Sequence, residues 1–121
     1  MSDNLTERVL GAVFEVANTL GAGFLEKVYE RALMRELKLR GISAVSQASF
    51  PVIYKGHCVG EYYADILVEN VPVVELKCVD CLHPVHHAQL RSCLKVSKLR
   101  LGLLINFNVP VLCRGVRRLI R

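Results

Sequence analysis

Residues 63–77, YADILVENVPVVELK, are the stretch that decides the fold. Two runs rich in β-branched and apolar residues flank a short polar segment around Asn70, which predicts two antiparallel strands joined by a turn. The strand period of two places Glu75 and Lys77 on one face of the second strand and apolar residues on the other. The first strand carries one acid, Asp65, among apolar neighbours. Each strand therefore brings a carboxylate into an otherwise apolar sheet.

Asp65 and Glu75 lie at equal distances in the sequence from Asn70. Any hairpin loop of odd length centred on Asn70 therefore places Asp65 opposite Glu75. Like charges opposite each other destabilise a sheet, and a divalent cation bound between them would remove the repulsion. Mg²⁺ or Mn²⁺ prefers such oxygen ligands and promotes phosphodiester hydrolysis, with Lys77 orienting or activating the nucleophile. The alternative is that these residues line a solvated strand face, because the Glu-x-Lys spacing alone is a weak signal.

Helices and further strands are predicted on both sides of this hairpin. Apolar residues recur at helical spacing over residues 5–20 and again over 24–40. Strand-like composition at 50–54, 59–68 and 71–79 predicts an antiparallel meander of three strands. The remaining elements are a helix over 85–98, a strand buried on both faces at 101–105, and a last strand pair or hairpin from 111–113 and 116–120. We predict a single domain over residues 1–121 with an α/β fold, a mixed β-sheet flanked by helices.

Composition limits the class of protein. The 121 residues are 52% hydrophobic and 22% charged, which excludes a disordered chain. No apolar run is long enough to cross a membrane, and the amino end does not resemble a secretory signal, so no membrane partner is expected. Five cysteines spread through the chain favour a reducing compartment, and we expect a cytoplasmic protein.

Basic residues outnumber acidic ones and give a formal net charge of +5, which suits a polyanionic partner such as DNA or RNA. One group of basic side chains forms a stripe on the second predicted helix: Lys27, Arg31, Arg35 and Lys38. A second group, which we predict to contact a phosphate backbone, contains Lys95, Lys98 and Arg100, with four arginines of the last eight residues nearby. A chain this short leaves part of a polyanion-binding cleft to another subunit, which suggests a homodimer.

Five segments of the chain form a combined pattern: residues 23–29 (GFLEKVY), 63–65 (YAD), 74–77 (VELK), 84–90 (PVHHAQL) and 101–107 (LGLLINF). Together they resemble the GxxExxY protein family of the PD-(D/E)xK nuclease-like superfamily. They occur in the family's order and extend over nearly the whole chain. The resemblance implies a restriction-endonuclease-like core.

The resemblance also implies roles for individual residues. Asp65 and Glu75 stand where the superfamily holds metal, the Leu76 backbone carbonyl is a usual further ligand, and Lys77 stands at the catalytic lysine. On this basis the chain is expected to be a Mg²⁺- or Mn²⁺-dependent nuclease. The alternative is a binding or interaction module that keeps the nuclease fold without turnover.

Three further positions belong to the same implied site. Glu26 matches a helix glutamate that often joins the metal shell and contributes to catalysis. Gln89 matches a polar position that lines the site, and Tyr29, one helical turn beyond Glu26, would pack beside or orient it. The family commonly has a tyrosine where Cys93 stands in this chain, which leaves substrate positioning open.

A structural zinc site is the third interpretation. Cys78 and Cys81, followed by His83, His86 and His87, offer thiolates and imidazoles, which are the ligands of tetrahedral zinc sites. No second Cys-x-x-Cys pair accompanies them, and the chain is long enough to build a core without metal.

Overall fold

The computed structural model describes residues 4–121, which form a five-stranded sheet with helices on both faces. The elements are α1 (Asn4–Leu20), α2 (Glu26–Leu39), β1 (Ala44–Tyr54), β2 (His57–Val68), β3 (Pro72–Lys77), α3 (Pro84–Ser97), β4 (Leu101–Asn106), a 3₁₀ helix (Leu112–Gly115) and β5 (Val116–Ile120). The strands lie side by side in chain order; β3 and β4 are parallel and the other neighbours are antiparallel. The predicted α/β fold with a mixed sheet is confirmed.

Apolar side chains on the two faces of the sheet form two separate clusters. The first packs α1 and α2 against the face that carries Val74 and Leu103. The second packs α3 against the face that carries Val73 and Leu104. Successive residues of β3 and β4 therefore point into opposite layers, as the strand period of two requires. This explains why every residue of β4 is buried.

The meander of three strands is confirmed, although its ends differ from the predicted ones. β1 begins at Ala44 instead of Phe50, and β3 ends at Lys77 instead of Val79. Beyond the part covered by helices, β1 and β2 continue as a two-stranded hairpin whose side chains are mostly exposed. The hairpin reverses at Lys55 and Gly56, which both have positive φ.

Of the last predicted strand pair, the strand over 116–120 is confirmed and the strand over 111–113 is wrong. Residues 112–115 form a 3₁₀ helix, closed by a hydrogen bond from the Arg114 N–H to the Val111 carbonyl. Gly115 passes so close to the Asn106 carbonyl oxygen that a β-carbon would overlap it, which fixes this tight path. β5 then pairs antiparallel with β4, not with residues 111–113.

Across residues 4–121, no helix combines the length and the apolar character needed to span a bilayer.

Candidate functional site

The candidate site lies where β2 and β3 separate. Their ladder contains the pairs Ile66–Val74 and Leu67–Val73, both symmetric about Asn70, so the predicted register is confirmed for these pairs. The same register places Asp65 opposite Glu75. At this pair, hydrogen bonds from backbone N–H groups to side-chain carboxylates take the place of the backbone-to-backbone hydrogen bonds of the ladder. The Glu75 Oε1 atom accepts the Asp65 N–H at 3.2 Å, and the Asp65 Oδ2 atom accepts the Leu76 N–H at 2.7 Å. Each carboxylate therefore accepts a hydrogen bond from the backbone of the strand that carries the other.

Burial and crowding change the charge state of these carboxylates. Burial and the negative charge of Asp65 raise the pKa of Glu75 to about 8. Burial also raises the pKa of Asp65, although the hydrogen bond from Leu76 opposes the shift. Lys77 lowers the pKa of both groups without compensating for burial. The Glu75 carboxyl is therefore harder to ionise than an ordinary glutamate, first because it is buried and second because Asp65 lies beside it.

A third carboxylate, that of Glu26, belongs to the same electrostatic group. Glu26 is the first residue of α2 and is half-buried. Burial, followed by the negative charge of Asp65, raises the pKa of Glu26, and the positive charge of Lys77 opposes this shift. The amino-terminal acid of α2 is thus close enough to Asp65 and Lys77 for their charges to influence its pKa, and its role in a metal shell stays a prediction.

Tyr29 fixes the turn from which Glu26 enters the helix. Its buried hydroxyl donates to the Gly21 carbonyl and accepts the Phe24 N–H at 3.2 Å. Its ring stacks on Phe107, with ring centroids 4.4 Å apart and planes inclined by 6°. Tyr29 therefore packs in the core one turn away from Glu26 and holds the preceding loop.

The oxygen donors of the site suit a hard divalent cation. Mg²⁺ is usually bound by one or two carboxylates, with waters and substrate phosphates completing its shell. Asp65 and Glu75 provide two carboxylates. The Leu76 N–H faces Asp65, and because the N–H and C=O of a strand residue point to the same side, its carbonyl faces this side as well. Within residues 4–121 no three His, Cys, Asp or Glu side chains are grouped so that they could hold a metal ion.

Gln47 is a member of the site that the sequence did not reveal. Its side-chain amide donates to the Glu30 Oε1 atom at 3.0 Å and lies 3.4 Å from the Asp65 Oδ1 atom. Glu30 is a buried carboxylate of α2, with 6% of its surface exposed. Neither residue has a local sequence signal for such a role. The link depends on β1 lying beside β2, and the predicted strand did not extend to Gln47.

Cys93 of α3 is influenced by the charges of the carboxylates. Burial and the negative charges of Glu75 and Asp65 raise the pKa of the buried Cys93 thiol to about 11. Gln89 lies one turn earlier on the same helix face, but its side chain is exposed. In the described part of the chain it makes no hydrogen bond with the carboxylates, and its role stays a prediction.

The zinc interpretation is wrong, because the structure does not bring the proposed ligands together. The Cys81 thiol is exposed and lies against the carbonyl of the next residue, whereas Cys78 packs at the edge of the first hydrophobic cluster. The Nδ1 atom of His86 accepts the His83 N–H at 3.0 Å and caps α3, and His87 contacts the His83 carbonyl. These side chains serve the helix start and the core instead of a tetrahedral site.

The predicted nucleic-acid residues Lys95, Lys98 and Arg100 are exposed, and two of them lie at the end of the sheet opposite to Lys77. Lys98 and Arg100 precede the start of β4, which pairs with the start of β3, whereas Lys77 is at the far end of β3. Five residues of strand separate these ends by about 17 Å. Two other basic groups lie closer to the Lys77 end. The exposed stripe on α2 starts at Lys27, next to Glu26. An open pocket of about 170 Å³ near the carboxyl ends of β3 and β4 is lined in part by Asn106, Arg114 and Arg117.

The fold and this cluster define a class of protein: an α/β domain whose splayed central strands bring acidic side chains and a lysine together. Comparison with protein families gives the same result, since residues 3–119 match the model of the PD-(D/E)XK nuclease superfamily. The chain belongs to the PD-(D/E)XK nuclease superfamily. Its narrower resemblance to the GxxExxY family stays a prediction. No curated protein and no solved structure matched the chain.

Proposed function

We propose that the protein is a nuclease that hydrolyses phosphodiester bonds in nucleic acid with the help of Mg²⁺ or Mn²⁺. The observation that supports this most strongly is the pairing of Asp65 and Glu75 at the point where β2 and β3 separate, with Lys77 beside them. Superfamily membership supplies the nuclease class, and the paired carboxylates supply the reason to expect a cation.

In this proposal Asp65, Glu75 and the Leu76 carbonyl would hold the cation, with Glu26 as a further carboxylate at the edge of the site. When bound, the cation would lower the pKa of a water molecule and neutralise charge on the phosphoryl oxygens. Glu75 would have to be ionised to serve as a ligand, since a carboxylate binds a cation in its deprotonated form. Lys77 would donate to the attacking water or to a phosphoryl oxygen and would stabilise negative charge there.

The nucleic acid would approach along basic surfaces that end at the site. The α2 stripe offers four cations on an exposed helix surface, and it begins beside Glu26. Arg114 and Arg117 offer two more beside the open pocket that Asn106, the last residue of β4, also lines. Such contacts with phosphates do not depend on base sequence, and they weaken steeply as salt increases. We propose these two surfaces as the primary track, ahead of Lys95, Lys98 and Arg100. A second copy of the chain would provide the opposite wall of a cleft, which light scattering can test.

A second candidate is a nucleic-acid-binding module on the nuclease fold that does not cleave. One observation favours it: Asp65 and Glu75 already accept backbone N–H groups, and no three-residue metal group is assembled within residues 4–121. In that case the carboxylates would stabilise the splayed strands, and the basic surfaces would carry the function. Nucleic acid would then bind without any dependence on divalent ions.

A cleavage assay separates the two candidates. Purified protein is incubated with single- and double-stranded DNA and RNA in EDTA, Mg²⁺ or Mn²⁺. The proposal predicts cleavage only with the cations, and its loss in Asp65→Asn with retained folding and retained binding of nucleic acid. Glu61→Gln, at an exposed position on the same strand, is the matched control and should cleave normally. Binding without cleavage under every condition would support the second candidate.

A further inference from the structure

The residue opposite Asp65 in the sheet has an unusual backbone. β1 and β2 pair through Ser46–Ile66 and Ala48–Ala64, and the ladder leaves out Gln47 and Asp65 between them. Gln47 has φ of 54°, in the left-handed region that residues with a side chain seldom adopt. A strained residue persists where the surrounding structure holds it, and such residues cluster at functional sites. The contacts of the Gln47 side chain are therefore expected to hold this backbone in place.

The Gln47 amide connects two carboxylates from different elements. It donates to Glu30 of α2 at 3.0 Å and reaches Asp65 of β2 at 3.4 Å. A glutamine NH₂ group carries two hydrogens, one for each carboxylate. Glu30 is anchored on its other side by Lys27, whose Nζ atom lies 3.3 Å from both carboxylate oxygens. Lys27, Glu30, Gln47 and Asp65 therefore form a continuous chain of hydrogen bonds, which we call the Gln47 bridge.

The bridge acts on the one Asp65 oxygen that the strands do not hold. Asp65 Oδ2 accepts the Leu76 N–H at 2.7 Å, and Oδ1 faces Gln47. With one donor on each oxygen, the plane of the carboxylate is fixed. A carboxylate has about four lone-pair directions, so about two remain free for a cation.

We propose that Gln47 is a positioning residue that holds the Asp65 carboxylate in the orientation that binds the divalent cation, with Glu30 as its anchor. This inference rests on the proposed function. Partners that orient metal ligands typically change metal affinity by about 10- to 100-fold when they are removed. A purely structural role, in which Gln47 only satisfies the buried Glu30, predicts a loss of stability and no specific loss of metal affinity.

Two substitutions separate the side chain from the strained backbone. Gln47→Asn keeps an amide and tolerates a left-handed backbone, but it is one methylene too short to span Glu30 and Asp65. Gln47→Gly removes the amide and the strain together. The matched control is Lys55→Asn, because Lys55 also has positive φ, at 46°, and lies at the tip of the same hairpin. All three changes are compatible with the local backbone, so loss of folding is not expected to obscure the result.

The first measurement is Mn²⁺ binding by calorimetry on the full chain, with the thermal unfolding midpoint recorded alongside. We expect the Mn²⁺ Kd of Gln47→Asn and Gln47→Gly to rise about 10- to 100-fold. The unfolding midpoint of the metal-free variants reports separately on the hydrogen bond that the buried Glu30 loses. Lys55→Asn should bind Mn²⁺ within about twofold of the parent protein. Parent-like Mn²⁺ affinity in both Gln47 variants would overturn the proposal.

The second measurement needs no metal. The Leu76 amide reports the orientation of Asp65, because its hydrogen bond ends on Oδ2. In metal-free protein, Gln47→Asn should shift the Leu76 amide proton resonance and speed its hydrogen exchange, whereas Lys55→Asn should not. Glu30→Gln keeps an acceptor oxygen for Gln47 and should leave Leu76 protected, while Glu30→Ala should resemble Gln47→Asn.

The two measurements distinguish failure of this inference from failure of the proposed function. If the parent protein binds no Mn²⁺ but Leu76 responds to Gln47→Asn, the metal function fails and the orientation of Asp65 by Gln47 stands. If the parent protein binds Mn²⁺ but neither affinity nor Leu76 responds to the Gln47 variants, the positioning role is refuted and the proposed function stands.

Discussion

Replacing Glu75 with Gln should make the metal-free protein more stable in mildly alkaline solution. Burial and Asp65 raise the pKa of Glu75 from an ordinary 4.5 to about 8. The folded protein therefore binds this proton more tightly than the unfolded chain does. The stability linked to the proton is fully present below about pH 4.5 and is lost as the pH rises towards 8.

The size of the effect follows from the shift. At about 1.4 kcal/mol per pKa unit, the difference corresponds to at most about 4 to 5 kcal/mol. Glu75 is partly exposed, and solvent reorganisation around the ionised group reduces the loss, so we expect about 2 kcal/mol between pH 5 and pH 8.5. Glu75→Gln stays neutral over this range and should not show the loss.

The assay is urea unfolding in EDTA at several pH values between 5 and 8.5. Glu75→Gln should exceed the parent protein in stability by about 2 kcal/mol at pH 8.5 and differ little at pH 5. Glu7→Gln, on an exposed position of α1, is the control and should follow the parent curve. Parallel curves for the parent protein and Glu75→Gln would refute the carboxylate crowding from which the effect is derived.

Mn²⁺ should make the parent protein more stable than Glu75→Gln, which is the reverse of their order in EDTA. At a free concentration about 100 times its Kd, a ligand that binds only the folded state stabilises it by about 2.7 kcal/mol. The parent protein at pH 8 should gain this amount, and Glu75→Gln should gain much less, because it lacks the second carboxylate. An equal gain in both proteins would show that the cation binds elsewhere.

Three further substitutions test other parts of the site and fold. Lys77→Met should lower cleavage by at least about 100-fold while Mn²⁺ binds as tightly as before or more tightly, since a neighbouring positive charge is lost; weaker Mn²⁺ binding would contradict this. Tyr29→Phe keeps the ring stacking but removes the hydroxyl that holds the turn before α2, and should lower the free energy of unfolding by about 2 kcal/mol in urea titrations. Gly115→Ala should lower the free energy of unfolding by about 3 kcal/mol in the same titrations, because its β-carbon would overlap the Asn106 carbonyl. Gly60 has open space around it and is the control, so Gly60→Ala should change this free energy by less than about 1 kcal/mol.

The central strands could be predicted because the sequence features that indicate them lie within short segments of the chain. The positions of Asp65 and Glu75 about Asn70 define a register without any knowledge of the rest of the chain, and the ladder follows it. The continuous apolar run 101–105 similarly predicts a strand covered on both faces, and β4 is buried throughout. Both predictions depend on the period of two, which the backbone imposes on every strand.

The remaining features depend on contacts that the sequence does not display. Gln47 joins the site only because a left-handed residue interrupts β1 opposite Asp65, and nothing at that position marks it. The path after β4 depends on the close approach of Gly115 to Asn106, which apolar composition cannot show. The positive charges of Lys98 and Arg100 predicted contacts with a phosphate backbone. The parallel pairing of β3 and β4, however, places these residues at the end of the sheet opposite to Lys77.

The most direct test is the anomalous diffraction of Mn²⁺ in soaked crystals at about pH 8, where Glu75 can lose its proton. The proposed site predicts a peak within about 2.0 to 2.6 Å of carboxylate oxygens of Asp65 and Glu75 and of the Leu76 carbonyl oxygen. The same peak should vanish in Asp65→Asn crystals. The absence of a peak at these residues in the parent protein, or a peak confined to another part of the chain, would contradict the assignment of this cluster as a metal-dependent nuclease site.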